Sequence, residues 1–243
     1  MSTARYTLED PPFAGLTGAG VRVAVIDSGI HPANPHIGAP VSGVRIHPDG
    51  NIDGDFVDRI GHGTAVTAAI LEKAPGIELV AVRVFDRTLA TSADVLSQAI
   101  SWAAANGARL INLSLGTSNP NRAAVLGQAV GEACAAGAIV VAARESGGVT
   151  WLPGSLPDVA GVTLDASCDR NELRMTFDAG HPHVWFTASG YPRPIPGVPV
   201  ERNLSGISFA VANVTGFLAR VLEAAPNALD VTELGRVLQS TRE

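Results

Sequence analysis

The sequence alternates between short apolar runs and longer alanine-rich segments, and this alternation limits the fold more than any other feature. The apolar runs include VRVAVID (21–27) and AIVVAA (138–143), and intervening segments such as ADVLSQAISWAAANG (93–107) have helical length. Strands joined through crossover helices form a parallel sheet with helices on both faces. Gly107 and Gly137 stand where helix C-caps are expected, each directly before an apolar strand. The pattern predicts an α/β fold with a doubly wound, mostly parallel sheet and helices on both faces.

The last third of the chain has a weaker pattern. Loops rich in proline and glycine follow residue 150, until SGISFAVANVTGFLARVLEAA (205–225) predicts a turn and a long buried helix. VTELGRVLQST (231–241) predicts a final short helix. A chain of 243 residues with 46% hydrophobic residues can bury one large core. We expect a single domain over residues 1–243, with residues 1–14 as an N-terminal extension.

Charge and composition exclude several partners. The net charge is −6 and no block of Lys or Arg occurs, so neither nucleic acid nor an anionic membrane surface is expected as a partner. No segment has the roughly 18 uninterrupted apolar residues of a membrane span, and the N-terminus lacks the apolar region of an export signal. Cys134 and Cys168 show no metal or redox spacing, and we expect free thiols rather than a disulfide. These features favour a cytoplasmic location.

Three polar residues stand where the predicted strands and helices meet. Asp27 ends an apolar strand, while His62 and Ser208 begin helical segments. Alone, each has an ordinary structural explanation: a turn former, a capping or core histidine, and a helix N-cap. Together they supply a nucleophilic hydroxyl, a base to remove its proton and an acid to orient the base. The carboxyl ends of parallel strands are where such groups converge.

Three motifs resemble those of the subtilases, serine peptidases whose catalytic triad runs Asp, His, Ser along the chain. The motifs are VAVIDSGI (23–30), GHGTAV (61–66) and GISFAVANVTG (206–216). The resemblance covers about residues 15 to 225. It implies that Asp27 orients His62 and that His62 removes the proton from Ser208, which attacks a peptide carbonyl.

The resemblance also implies a substrate site. INLSLG (111–116) resembles the family's substrate-binding strand, so a peptide or protein substrate would pair with the backbone of Ser114, Leu115 and Gly116. Trp151 falls where the family commonly has a glycine at the floor of the P1 pocket, the pocket for the residue before the cleaved bond. An indole there would favour small P1 residues such as Gly or Ala. Alternatively, Trp151 turns inward and packs in the core.

The strand AIVVAA leads into a second departure from the family pattern. The family has A-A-G-N-x-G here, and its Asn donates a hydrogen bond to the oxyanion of the tetrahedral intermediate. This chain has AARESG (142–147), which places Glu145 at the Asn. An ionised carboxylate only accepts hydrogen bonds, and losing such a donor in a subtilisin lowers the rate about 10²–10³-fold.

Several explanations of this loop remain open at the level of sequence. Glu145 donates through a protonated carboxyl, as the resembling Asp of the acid-active sedolisins implies. Alternatively, the register slips and Ser146 donates while Arg144 pairs with Glu145. A third explanation is a disabled oxyanion hole, and a fourth is that the charged pair forms an exposed turn.

Other departures point to a specialised protein. The Pro and His of the family's serine motif are Ala212 and Asn213, and the second His of H-G-T-H is Ala65. EKAPG (72–76) replaces a loop that often binds calcium in the family, so no calcium is expected there. Only 26 residues precede Asp27, too few for the prodomain of secreted members. This favours an intracellular or specialised enzyme.

No metal or other cofactor is expected. HPHVW (181–185) offers an H-x-H pair, but no third ligand lies at helical spacing.

The sequence therefore predicts a subtilisin-type serine endopeptidase that acts through an acyl-enzyme and is specialised for a precursor or leader peptide. Two alternatives remain: a catalytically impaired peptide-binding protein of the same fold, or a peptide ligase or cyclase that uses the same acyl-enzyme. The sequence does not indicate the oligomeric state.

Overall fold

A computed structural model describes residues 2–177 and 184–241 of the chain. The strands are β1 (Ser2–Thr7), β2 (Arg22–Asp27), β3 (Val41–Ile46), β4 (Ile52–Asp53), β5 (Glu78–Arg83), β6 (Leu110–Leu113), β7 (Ile139–Ser146), β8 (Val149–Thr150), β9 (Ala160–Leu164), β10 (Glu172–Phe177) and β11 (Val184–Ala188). The α-helices are α1 (His62–Lys73), α2 (Ala93–Ala105), α3 (Ala123–Ala135), α4 (Ile207–Ala224) and α5 (Val231–Ser240). Two short 3₁₀ helices cover Pro120–Arg122 and Val200–Arg202.

The strands form one 11-stranded sheet in the order β1-β10-β11-β9-β7-β6-β2-β5-β3-β4, and β8 pairs with β7. The strands from β11 to β3 in this order run parallel. Antiparallel pairs lie at the edges and at the β7–β8 hairpin. In the middle of the sheet Ile26 of β2 lies opposite Leu113 of β6. Asp27 and Ser114 therefore leave the sheet side by side at its carboxyl edge.

Helices cover both faces of the parallel part, as the apolar runs require. In β2, Val23 and Val25 join a core cluster with α1 and α4, while Ala24 and Ile26 join a second cluster with α2 and α3. A strand buried on both faces loses the usual polar alternation and becomes continuously apolar. The predicted doubly wound α/β fold is confirmed.

Helix α4 is the central helix of the first cluster. It has 18 residues and a mean hydropathy of 1.3, which would suffice to cross a membrane, but 72% of it is buried inside the protein. It packs against α1 and against the sheet. Its apolar composition is therefore accounted for by burial in the core.

The N-terminal segment differs from the expected extension. β1 forms an antiparallel edge pair with β10, with Ser2 opposite Phe177. Phe13 is fully buried and packs edge-on against Phe217 of α4 at a ring centroid distance of 5.2 Å. Residues 2–13 are therefore part of the fold, because they cover one end of the sheet and of its core.

Neither cysteine forms a disulfide, and only a short connection follows α1. Cys134 and Cys168 are free, and burial raises the pKa of each thiol to about 11. Helix α1 ends at Lys73, whose side chain is buried and lies 3.1 Å from Glu72. β5 begins soon afterwards at Glu78.

Candidate active site

Asp27 and His62 are in direct contact at the carboxyl edge of the sheet. Asp27 ends β2 and is fully buried, and its Oδ1 lies 2.8 Å from His62 Nδ1. The main-chain N–H of Ser28 donates to the same oxygen at 2.7 Å. Because an ionised carboxylate only accepts hydrogen bonds, Nδ1 of His62 carries the proton and Nε2 is left as a base.

The glycines on either side of His62 are required by the backbone. Gly61 precedes α1 with φ 93°, a left-handed conformation that glycine adopts without strain. A Cβ on Gly63 would lie 2.2 Å from the main-chain oxygen of Gly29, so only glycine fits there. The G-H-G sequence thus lets the first turn of α1 approach the loop after β2, which brings His62 to Asp27.

Asp58 holds this first turn in place and was missed in the sequence analysis. Its buried carboxylate accepts five hydrogen bonds at 2.6–2.9 Å, which come from the Ser28 hydroxyl, the N–H groups of Ile60, Gly61 and Thr64, and the Thr64 hydroxyl. Burial alone would raise the pKa of Asp58, but these hydrogen bonds outweigh it and lower the pKa. The signal in the sequence was an aspartate shortly before a helix start, a common capping arrangement.

The charges around His62 change its basicity. Burial disfavours the imidazolium and lowers the pKa of His62, but the hydrogen bond and the negative charge of Asp27 act more strongly in the other direction. The charge of Asp58 adds to this effect. The net result is a pKa raised above the ordinary value of 6.5, which makes His62 a stronger base than an isolated imidazole.

Ser208 lies at the start of α4 and is hydrogen-bonded to Ser114. Ser208 Oγ donates to the main-chain oxygen of Ser114 at 3.1 Å, and Ser114 Oγ donates to the main-chain oxygen of Ser208 at 3.2 Å. Behind them, Asn112 Nδ2 donates to Ser114 Oγ at 2.9 Å, and Thr215 Oγ1 donates to Asn112 Oδ1 at 3.0 Å. This buried polar chain fixes the start of α4 to the end of β6.

One pocket of about 260 Å³ brings most of the predicted site residues together. It is lined by His62, Phe85, Leu89, Ser114, Leu115, Gly116, Ala143, Trp151, Ile207 and Ser208. The predicted base, nucleophile and substrate-binding strand therefore share one cavity. No hydrogen bond joins His62 to Ser208 in the part of the chain that the structure describes, because the Ser208 hydroxyl is turned towards Ser114.

Trp151 was considered above either as part of the P1 pocket or as a core residue, and the structure shows features of both. It lines the pocket and also packs against the core cluster that contains α1 and α4. Its Nε1 is buried and has no hydrogen-bond partner among the described residues. The next residue, Leu152, exchanges main-chain hydrogen bonds with Thr117 at 2.8 and 3.0 Å. This pairing holds Trp151 beside Gly116.

The structure does not place Glu145 and Ser146 in the pocket, which differs from the expected oxyanion-hole candidates. β7 continues through both residues and turns back into β8, so Glu145 pairs with Thr150 and Ser146 with Val149. The side chain of Glu145 is exposed. Strand pairing thus carries these residues beyond Ala143, the residue of β7 that lines the pocket.

Arg144 does not pair with Glu145. Its guanidinium lies over the ring of Trp185 in β11, 4.4 Å from the ring centroid, in cation–π geometry. The two charged residues at the end of β7 therefore have different environments: Arg144 contacts an aromatic ring, and Glu145 is exposed in the β7–β8 hairpin.

A metal site does not appear among residues 2–177 and 184–241, since no three His, Cys, Asp or Glu side chains cluster suitably there. His181 and His183 of the H-x-H pair lie outside the described residues.

Solved structures share this architecture. A cold-adapted subtilisin-like serine proteinase superposes with a TM-score of 0.70 at 22% identity, covering 91% of this chain and 82% of that chain. The nisin leader peptidase NisP from Lactococcus lactis gives a TM-score of 0.64 at 20% identity, covering 92% and 82%. At these identities the similarity shows the fold.

Relatives identified by sequence have a higher percentage of residues identical to this chain than the solved structures above. Subtilisin Savinase from Lederbergia lenta is 33% identical over 240 residues, covering 88% of this chain and 80% of the relative. M-protease from Shouchella clausii is also 33% identical over 240 residues, and the match covers 88% of this chain but 57% of M-protease. The profile of the subtilase family matches residues 18–242. The chain therefore belongs to the subtilase family, the subtilisin-type serine peptidases.

Proposed function

We propose that this chain is a serine endopeptidase that cleaves peptide bonds through an acyl-enzyme. The observation that carries the proposal is the Asp27–His62 pair, whose imidazole lines the same pocket as the Ser208 hydroxyl. A buried acid, an oriented imidazole and a hydroxyl at the mouth of one cavity are the groups that nucleophilic acyl transfer needs.

The reaction follows from these groups. Ser208 Oγ turns from the Ser114 carbonyl to His62, attacks the substrate carbonyl and passes its proton to Nε2. Asp27 stabilises the imidazolium that forms. His62 then protonates the leaving amine, the C–N bond breaks, and water hydrolyses the acyl-enzyme by the same route.

The oxyanion of the intermediate needs hydrogen-bond donors. The first N–H groups of a helix have no partner within the helix, and Ser208 is the second residue of α4. Its main-chain N–H is therefore suited to the oxyanion. Since Glu145 and Ser146 lie outside the pocket, we assign no side chain of the β7 hairpin to this role.

The substrate would bind as an extended strand. Ser114, Leu115 and Gly116 follow β6 on one wall of the pocket, and their backbone is suited to pair with the residues before the cleaved bond. Trp151 takes up space beside them. We propose that this indole restricts P1 to small residues.

We further propose a processing role on one or a few precursor or leader peptides, in the cytoplasm. The absence of a β7 side-chain donor from the pocket supports a slower, more selective enzyme. The fold itself serves leader cleavage in NisP. Two cysteines that are free rather than disulfide-bonded are compatible with a reducing compartment.

A fluorophosphonate probe tests the proposal. It should label the protein at Ser208 between about pH 6 and 8, and Ser208→Ala should abolish labelling. Ser118→Ala, which removes an exposed serine outside the pocket, is the matched control and should label normally. Ser208→Ala incubated with candidate precursor peptides and analysed by mass spectrometry would then identify the bound substrate.

A second candidate is a peptide-binding protein without activity. The hydrogen bond of Ser208 to Ser114 instead of His62 favours it. No labelling between pH 4 and 8, together with capture of a peptide by the unmodified protein, would establish binding and refute the peptidase.

A further inference from the structure

A second cavity of about 340 Å³ lies next to the catalytic groups and plays no part in the reaction described above. We call it the leaving-side cavity. Its apolar lining consists of Ala65, Ala68, Pro192, Pro194, Ile195 and Leu204. Its polar lining includes His31, His36, Asp58, Thr64 and Arg193.

The two cavities flank the catalytic pair. The first pocket is lined by His62 and Ser208 themselves. The leaving-side cavity is lined by Gly61, which directly precedes His62, and by Leu204, which lies four residues before Ser208. The first pocket also contains the strand that would pair with the residues before the cleaved bond. The residues after the cleaved bond would therefore lie on the side of Ser208 where Gly61 and Leu204 line the leaving-side cavity.

Small residues on α1 open this cavity. Gly61, directly before α1, and Thr64, Ala65 and Ala68 of α1 follow the i, i+3, i+4, i+7 spacing of one helix face, and all four line the cavity. Position 65 has a methyl group where the motif H-G-T-H has an imidazole. A larger side chain at this position would fill part of the space.

The opposite wall exposes apolar side chains. Ile195 is 49% exposed and Leu204 is 60% exposed, so neither is buried by the rest of the chain. Adjacent exposed apolar groups at a concave site are typical of a binding surface. Pro192, Pro194 and Pro196 limit the backbone freedom of this wall.

The charges of the cavity disfavour a basic occupant. The carboxylate of Asp58 is the acid in the lining, and its oxygens already accept five hydrogen bonds. Arg193, His31 and His36 also line it and make no ion pair among the described residues. A lysine or arginine side chain would find no free partner there.

We propose that the leaving-side cavity binds a large apolar side chain of the substrate, such as Leu, Met or Phe, at the first or second position after the cleaved bond. This inference rests on the proposed peptidase function and adds a substrate class to it. The residue before the cleaved bond is then selected by a small P1 pocket, and a residue after the cleaved bond is selected by a large apolar pocket.

Internally quenched peptides test the proposal. With the residues before the cleaved bond held constant, kcat/KM should be at least tenfold higher with Leu or Phe than with Ala at one of the two positions, since apolar pockets discriminate side-chain size by 10-fold or more. Ala65→Leu should reduce this ratio to below about threefold. Leu204→Ser should also reduce it and, because Leu204 is exposed, should not affect folding.

Two measurements separate this proposal from the proposed function. Fluorophosphonate labelling and cleavage of arylamide substrates, which have no residue after the cleaved bond, should be within twofold of the unmodified protein in both variants. Ala124→Leu, an exposed position of α3, is the matched control and should keep the full Leu to Ala ratio. If labelling and arylamide cleavage occur but peptides show no apolar preference, or prefer an acidic or basic residue, the leaving-side cavity is not this subsite.

Discussion

Ser208 and Ser114 exchange two hydrogen bonds, from each hydroxyl to the main-chain oxygen of the other residue, at 3.1 and 3.2 Å. The nucleophile is thus held by the carbonyl on which a substrate strand would pair. A substrate N–H that binds to the Ser114 oxygen competes with the Ser208 hydroxyl, which is then free to turn to His62. We therefore expect substrate binding and activation of the nucleophile to be coupled through the Ser114 oxygen.

Ser114→Ala should weaken this arrangement. It removes one of the two hydrogen bonds and leaves Asn112 Nδ2 buried without its acceptor, which costs about 1–3 kcal/mol of unfolding free energy. Urea denaturation would measure the loss, and the rate of fluorophosphonate labelling should fall as well. Ser101→Ala on the surface of α2 is the control. Unchanged stability in Ser114→Ala would show that the polar chain does not fix α4.

The activity should decrease in acid because His62 must be neutral to accept a proton. Its pKa is raised above 6.5, so kcat/KM should fall as the pH decreases through that raised pKa, and about tenfold per pH unit below it. Asp27→Asn removes the charge that raises the pKa. The acid limb should then move to lower pH, with kcat reduced by about 3 × 10⁴, the size found for the triad aspartate in subtilisin. A pH–rate profile would measure both effects, and an acid limb that stays in place would contradict the assignment.

Asp58→Asn should destabilise the protein by about 2–3 kcal/mol at pH 7, since a charged acceptor of several hydrogen bonds is lost. The lowered pKa of Asp58 means that its stabilising contribution is present above the unfolded value of 3.8 and disappears as the pH falls through the folded pKa. The difference in unfolding free energy between the variant and the unmodified protein should therefore become smaller in acid. Denaturation at pH 7 and pH 3 would measure it, with the exposed Asp158→Asn as control. An equal difference at both pH values would rule out this account.

Trp151→Gly should broaden the residues accepted at P1. Removal of the indole enlarges the pocket beside Gly116, so kcat/KM for substrates with Phe or Leu at P1 should increase at least tenfold relative to Ala. Trp151→Phe keeps an aromatic ring there and should retain the preference for small residues. Cleavage of a P1-varied peptide set would measure the change. The same preference in Trp151→Gly would place the limiting residue elsewhere.

Glu145→Gln should leave kcat/KM within about twofold across the pH range. The side chain is exposed on the β7–β8 hairpin and does not line the pocket with Ser208. Steady-state kinetics from pH 5 to 9 would test this, and Glu145→Asn should behave in the same way. A change of more than tenfold in kcat/KM in either variant would indicate that Glu145 acts in the oxyanion hole.

The periodicity and the motifs of the sequence predicted the fold class and the residues that come together. VRVAVID indicates a strand buried on both faces because its apolar residues do not alternate, and the glycines around His62 mark a backbone that only glycine can adopt. These are local properties, so they can be recognised in a short stretch of sequence. The pairing of Asp27 with His62 could be predicted because the motifs resemble a family in which that pairing occurs.

The tertiary structure decided what depends on distant partners. Ser2–Thr7 is an edge strand only because Glu172–Phe177 lies beside it, and Glu145 leaves the pocket only because β7 pairs with β8. Neither segment has an apolar pattern strong enough to indicate its pairing. The leaving-side cavity likewise lies between a face of α1 and a loop more than a hundred residues away in sequence. Pairing and cavity shape are set by packing between remote segments, whereas periodicity is a property of each segment alone.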